Sequence, residues 1–384
     1  MMDLRHRQRI SLASFFFLSG FCFASWASRI PTIKSTFEFN DAQLGTILLF
    51  MPVSSLLGLP VSGWLISRFD SRYPLVAGFA SMCIALACIG FATSSVALVG
   101  AICFFAFATR IQNIAVNTQA ITLQKQFEKK INGAFHGLWS TGGIAGVGFS
   151  TLMVAMEVDI RLHLLIVSAI AIFVMLFFFR NLLRGDRAQS GNKLQLGKPD
   201  PYIIYLGCLV FLAAVCEGGM FDWSGIYFRE VVNVDVFTVG YLTFMIFMAG
   251  SRFLSDRVID AIGMRNTYLV SSGLVITGIL IAVIFPSFWT AMIGFCLVGL
   301  GTAPVIPMTY LLAGGSRKYS PGMAISIIAT YGIVGMLVGP PLIGYLSHAS
   351  SLRLAFIAFA IGGALIIPIS RLFFAHRQRM EQQV

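Results

Sequence analysis

The sequence predicts an all-α membrane protein, with about twelve transmembrane helices in two pseudo-symmetric six-helix bundles. Three observations carry this. Of 384 residues, 57% are hydrophobic and only 11% charged, against about a quarter charged in a soluble globular chain. The length accommodates about twelve apolar helices of ~20 residues joined by short loops. The basic residues also alternate between loops: with an even number of spans, 21 of the 27 Lys and Arg fall on the side of both termini, five fall opposite, and Arg110 lies within a span. The positive-inside rule then places both termini in the cytoplasm. It also accounts for the formal charge of +11 without invoking nucleic acid.

The elements follow in order. The basic N-terminus (Arg5, Arg7, Arg9) leads into a first span over about 10–28, read as retained because no small-residue cleavage site follows it. That span stops at Arg29-Ile30-Pro31. The second runs from about Ala42 to the basic turn Arg68–Arg72, the third over roughly 74–92, and Thr93-Ser94-Ser95 is a tight turn. The fourth covers about 96–123 and precedes Lys125, Lys129 and Lys130. A glycine-rich fifth span (132–156) and a sixth (162–183) complete the first half. Residues 184–200 are polar, charged and turn-rich, and read as a cytoplasmic linker between domains 1–183 and 201–384. The second half repeats the rhythm near 201–228, 236–259, 266–285, 288–312, 322–347 and 352–375.

A weak internal repeat supports duplication. Trp26 in Phe23–Ser28 and Trp223 in Phe221–Gly225 are 197 residues apart, as are Gly142 and Gly339. Duplicated halves around a midplane site are a common plan for secondary transporters. The seven cysteines sit in apolar runs with no CxxC pair or His/Cys cluster, so they read as packing residues, with no metal and no cofactor expected. The chain has no Asn-x-Ser/Thr sequon, which gives no sign of a glycosylated surface protein.

Several motifs resemble the major facilitator superfamily. The turn after span two carries Gly63, Arg68 and Arg72 of its Gly-x3-Asp-Arg-x-Gly-x-Arg signature, with Ser67 in place of the Asp and Asp70 in place of the second Gly. The turn after span eight offers Asp256, Asp260, Gly263 and Arg265. In the family this loop controls the rocking of the two halves. The stretches 136–146, 299–307 and 335–344 resemble its spans five, ten and eleven. Glu217-Gly218 with Asp222-Trp223 is similar to the fucose:proton-symporter-like, sugar-permease branch. The resemblance covers nearly the whole chain and implies the major facilitator fold, alternating access and a monomer. Small residues three or four apart also serve close helix packing, which explains most of these glycines without any gating role. Pro304, Pro307, Pro340 and Pro341 bend or break helices.

Charges at mid-depth in a membrane are expensive and each invites an explanation. By position, Glu217 lies near the midplane of span seven and Arg110 near that of span four, both of which line the central cavity in the superfamily. A carboxyl group shielded from water can take up and release a proton, which makes Glu217 the first candidate for proton coupling; the competing reading is a structural ion pair. Asp222 lies nearer the outer surface as a second candidate. The planar fork of Arg110 suits a carboxylate or phosphate on the substrate; equally, Arg110 is the resting partner of Glu217. Gln112, Asn113, Asn117 and Gln119 surround it, and Asn113 and Asn117 share a helix face. In fucose-permease-like relatives an acid stands where this chain has Asn113. Trp26, Trp139 and Trp223 are candidates to stack on a ring, with the interfacial belt as the alternative for Trp26 and Trp223. Tyr331 is a further cavity candidate.

The function expected is proton-coupled uptake of a small polar solute (a sugar, sugar derivative or organic acid) by a multi-pass protein of the bacterial inner membrane. Its partners would be the solute, protons and the lipid bilayer, with no nucleic acid. The alternative is proton-driven efflux of an amphipathic compound, which the absence of a Gly-Pro pair from span five disfavours. A membrane receptor or enzyme is disfavoured by the absence of a Walker loop, metal cluster, nucleophile–base pair or long soluble domain.

Overall fold

The structure is a computed structural model that describes residues 4–127, 131–186, 200–319 and 321–382. Its α-helices are α1 (Leu4–Ala27), α2 (Ile30–Thr36), α3 (Asp41–Arg68), α4 (Arg72–Phe91), α5 (Ser95–Gln124), α6 (Asn132–Ala155), α7 (Ile160–Phe178), α8 (Pro201–Glu230), α9 (Thr238–Ile284), α10 (Phe288–Thr302), α11 (Val305–Ala313), α12 (Pro321–Ala349), α13 (Leu352–Ala355) and α14 (Ile357–Gln382). Among the described residues, eleven helical stretches are long and apolar enough to cross a membrane. One of these, Arg257–Ile284, lies inside α9, and the part of α9 before it stands in the place of span eight.

Helix α9 has 47 residues and would be about 70 Å long if straight, more than twice a hydrocarbon core of about 30 Å. It breaks at Gly263, whose φ of 78° and ψ of 156° suit a residue without Cβ. Other boundaries follow local chemistry. The Ser94 hydroxyl accepts from Ala97 N at 3.2 Å at the start of α5, and the Asp159 carboxylate accepts from Arg161 N at 2.7 Å at the start of α7. Asp200 caps α8 by accepting from Ile203 N at 3.0 Å, with Pro201 in the first turn, where a missing N–H costs nothing. Span ten, expected as one helix, is divided at Ala303-Pro304 into α10 and α11, because prolines 304 and 307 lack the N–H a continuous helix needs.

The chain forms two compact units: Met1–Glu38 with Phe50–Lys193, and Phe39–Leu49 with Leu194–Val384. In the first, α1 packs chiefly on α6, and α4 on α5 and α7. In the second, α8 packs chiefly on α12, and α9 on α10 and α14. In span order the first-with-fifth, third-with-fourth and third-with-sixth pairings thus recur, as duplicated halves require. Residues 39–49, the first turns of α3, belong to the second unit. There the Ser347 hydroxyl donates to the Asp41 carboxylate, Thr46 and Tyr345 share a hydrogen bond of 3.0 Å, and a Cβ on Gly344 would lie 2.5 Å from Asp41 O. The linker expected at 184–200 falls mostly outside the described residues, since 187–199 are among those not described.

Large apolar side chains point outward, Phe253 at 76% exposure and Phe173 at 73% among them. That is the arrangement lipid favours and water does not.

Candidate functional site

In the second unit, α8 carries Glu217 and Asp222 and the first part of α9 carries Arg252 and Tyr241. Arg252 Nη2 donates to Glu217 Oε1 at 2.8 Å, with side-chain exposures of 32% and 7%. Arg252 falls inside the eighth span expected over 236–259, yet it is one of the 21 basic residues assigned to the side of the termini, with the turn after that span. The helix continues past the apolar run 241–250, so Arg252 is still inside α9 and meets the acid of α8. Tyr241 is buried, its hydroxyl has no hydrogen-bond partner among the described residues, and it lies within electrostatic reach of Asp222 and Glu217. Tyr310 of α11 lies within reach of Glu217. Asp222 is half-buried. Together they form a polar cluster of two acids, one cation and two phenols in an apolar bundle. Trp223 is fully buried, and its indole N–H has no partner among the described residues. Tyr331 of α12 is half-buried, with its ring over Gly207 of α8.

In the first unit, α5 presents the other candidates. Arg110 is half-buried, and its Nε donates to Ser55 Oγ of α3 at 2.8 Å. Gln112 is buried; its Nε2 donates to Ser19 Oγ of α1 at 2.9 Å, and its Oε1 has no partner among the described residues. Asn117 Nδ2 donates to the Asn113 carbonyl at 2.7 Å, so both amides sit on one face, half-buried. The Gln119 amide donates to Leu183 O and accepts from Leu183 N, each at 3.2 Å, which ties the end of the first six spans to α5. Replacing Gln119 with Ala is expected to leave two buried backbone groups unpaired and to lower stability by about 1–3 kcal/mol. A thermal-shift measurement in detergent checks this, and an unchanged melting temperature would remove the clip from the account.

Trp26 is buried against Phe105, with ring centroids 6.2 Å apart, and its indole N–H lacks a partner among the described residues. Trp26 and Trp223 are 1% and 0% exposed, which overturns the belt alternative, since a belt tryptophan shows its ring to the headgroups. Trp139 is half-buried beside Phe23 at 6.3 Å. Arg29, at the corner after α1, is buried and makes two hydrogen bonds: its Nε donates to His163 Nδ1 at 2.9 Å and its Nη2 to Val158 O at 2.8 Å.

Gly63, Ser67, Arg68, Asp260, Gly263 and Arg265 of the loop signatures are exposed, while Asp70 and Arg72 are half-buried, Arg72 over Tyr73, 4.4 Å from the ring centroid. Gly63 and Arg68 end α3, Asp260, Gly263 and Arg265 surround the break in α9, and the Asp256 side chain is outside the described residues. Asp70 accepts from Gly185 N at 3.1 Å, while Asp186 accepts from Ser71 N at 3.0 Å and from the Ser71 hydroxyl. This reciprocal clasp binds the turn to the chain leaving the sixth span. Sequence spacing gave no signal for it, because the partners are 115 residues apart. Among the described residues, no group of three or more His, Cys, Asp and Glu is placed to hold a metal ion.

Comparison with known proteins gives three findings. The chain matches the family described as Major Facilitator Superfamily over residues 12–316 and 243–383. It is 32% identical over 371 residues to the membrane protein MosC of Rhizobium meliloti, covering 94% of this chain and 89% of that one, and 30% identical over 351 residues to an uncharacterized MFS-type transporter of Yersinia pestis, covering 91% of each. Its fold is similar to that of a bacterial homolog of the human lysosomal transporter Spinster in an inward-facing, occupied conformation (TM-score 0.81, 16% identity, 98% of each chain) and to that of the nucleoside transporter NupG (TM-score 0.76, 14% identity, 97% and 99%).

Proposed function

The chain belongs to the Major Facilitator Superfamily, and from that premise we propose that it is a secondary active transporter coupling proton movement to uptake of a small polar solute. The observation that carries this reading is the ion pair of Glu217 with Arg252, 2.8 Å apart inside an apolar bundle. Such a pair is costly to bury and weak as a stabilising device, so a working role explains it better than stability does. Protonation of Glu217 turns a charge–charge hydrogen bond into a weaker charge–dipole one and loosens α8 from α9. Loss of the proton restores the pair. A local charge change thereby biases two arrangements of the bundle, which is what alternating access requires. Asp222 and the unpartnered Tyr241 hydroxyl supply further polar groups along α8 and α9 for the proton or the solute.

The basic-residue asymmetry supports cytoplasmic termini in a bacterial inner membrane, and the resemblance of 136–146 and 217–223 to sugar permeases supports a hydroxylated solute. The protein works as a monomer with no cofactor. The test is solute accumulation in proteoliposomes under an imposed pH gradient. Glu217→Gln keeps the bond from Arg252 and loses the titratable proton. It is expected to abolish gradient-driven accumulation, by about tenfold or more, while solute exchange without a gradient persists. Full gradient-driven accumulation by Glu217→Gln would refute the assignment of the coupling acid.

A further inference from the structure

Resting on the transporter reading above, we propose that the solute carries an anionic head, a carboxylate or a phosphate, and that Arg110 of α5 holds it. Among the described residues, Arg110 is an intramembrane cation without an acid. Its Nε is committed to the Ser55 hydroxyl at 2.8 Å, and its Nη1 and Nη2 have no protein partner among the described residues. Two other arginines have an acid within bonding or electrostatic reach. Arg252 has Glu217 at 2.8 Å. Arg29 has an imidazole and a carbonyl at 2.9 and 2.8 Å and feels the charge of Asp159. A guanidinium in an apolar span needs a counter-charge. With Glu217 bonded to Arg252, Arg110 is left for the solute.

The surroundings of Arg110 fix how it presents itself. A Cβ on Gly58 would lie 3.0 Å from Arg110 Cβ, so α3 presses against the stem of the side chain. Ser55, one turn earlier on α3, holds Nε. The remaining edge of the fork, Nη1 and Nη2, suits two parallel hydrogen bonds to a carboxylate or phosphate. Asn113 lies three residues on, on the same side of α5, and is half-buried, with Asn117 bonded to it. Amides beside a cation suit hydroxyl or carbonyl groups next to the anionic head. The chemistry on α5 therefore favours a hydroxylated acid or a phosphorylated polyol over a neutral sugar. A monoanion carried with one proton would move no net charge.

The experiment is isothermal titration of the purified protein in detergent with glucose, gluconate, glucuronate, glucose 6-phosphate and inorganic phosphate. At least one acid should bind while glucose does not. Gluconate or glucuronate binding identifies a carboxylate head, and glucose 6-phosphate or inorganic phosphate a phosphate head. Arg110→Gln should weaken that acid by about tenfold or more, and Arg110→Lys should weaken it less because the charge remains. Should Arg110→Gln fail to fold, Ser55→Ala frees Nε and should still weaken the acid. Binding of glucose in preference to every acid, binding of no acid in the panel, or an acid affinity unchanged in both Arg110→Gln and Ser55→Ala would overturn the proposal. Binding in detergent requires no proton movement, so this assignment and the coupling role of Glu217 fail by separate results.

Discussion

Gly142→Ala is expected to destabilise the first unit severely. A Cβ at Gly142 would stand 1.9 Å from Phe17 O, and one at Gly20 would stand 2.0 Å from Trp139 O. Helices α1 and α6 therefore meet backbone to backbone, and neither carbonyl can turn aside as a side-chain tip could. Adding one methyl must push the helices apart along a seam that also includes Gly146, where a Cβ would lie 2.5 Å from Phe21 O. Overpacking costs typically ~1–3 kcal/mol, and a backbone clash on this scale belongs at or above the upper end. The control is Gly148→Ala on the same helix, where a Cβ meets nothing within 4 Å; there the higher helix propensity of Ala is worth up to about 1 kcal/mol in its favour. Thermal unfolding of both variants in one detergent checks the contrast. Equal melting temperatures would mean that the seam is not close-packed.

Arg252→Ala should cost the second unit more than removal of the whole pair. The single variant leaves the Glu217 carboxylate buried without its cation. Breaking a buried pair in this way costs about 3–5 kcal/mol, and the 32% exposure of the arginine places the effect near the lower figure. Glu217→Gln combined with Arg252→Ala removes both charges and should regain most of the loss. The double-mutant cycle reads the coupling directly. Additive single effects would show that the two side chains do not depend on each other, and the ion-pair account of the site would then fall.

The membrane class and the division into spans were legible because lipid imposes a one-dimensional rule: a stretch of ~20 apolar residues must be a helix with its own hydrogen bonds satisfied. The glycine seam was legible in part, since Gly142, Gly143 and Gly146 are spaced for one helix face, though the partner helix α1 was not. Arg252 was missed although the span over 236–259 contains it, because a basic residue just past an apolar run is readily grouped with the basic turn that follows. A search for an intramembrane cation within reach of Glu217 would have raised it. The backbone clip made by Gln119 and the clasp between Asp70 and Asp186 were out of reach for another reason: their partners lie 64 and 115 residues away, and no local pattern marks such pairs. For Trp26 and Trp223 the sequence placed both tryptophans near span ends, but only packing distinguishes a ring facing lipid from one enclosed by helices.

The first turns of α3 bear on how the protein is made. The stretch 39–49 leaves the ribosome early, yet it belongs to the unit built from the second half of the chain. A gene severed at the central linker would yield a C-terminal product whose α12 lacks the companions of Ser347 and Tyr345, namely Asp41 and Thr46. The ribosome thus finishes the second bundle with a piece inserted long before, and the boundary between units is drawn in space and not along the message.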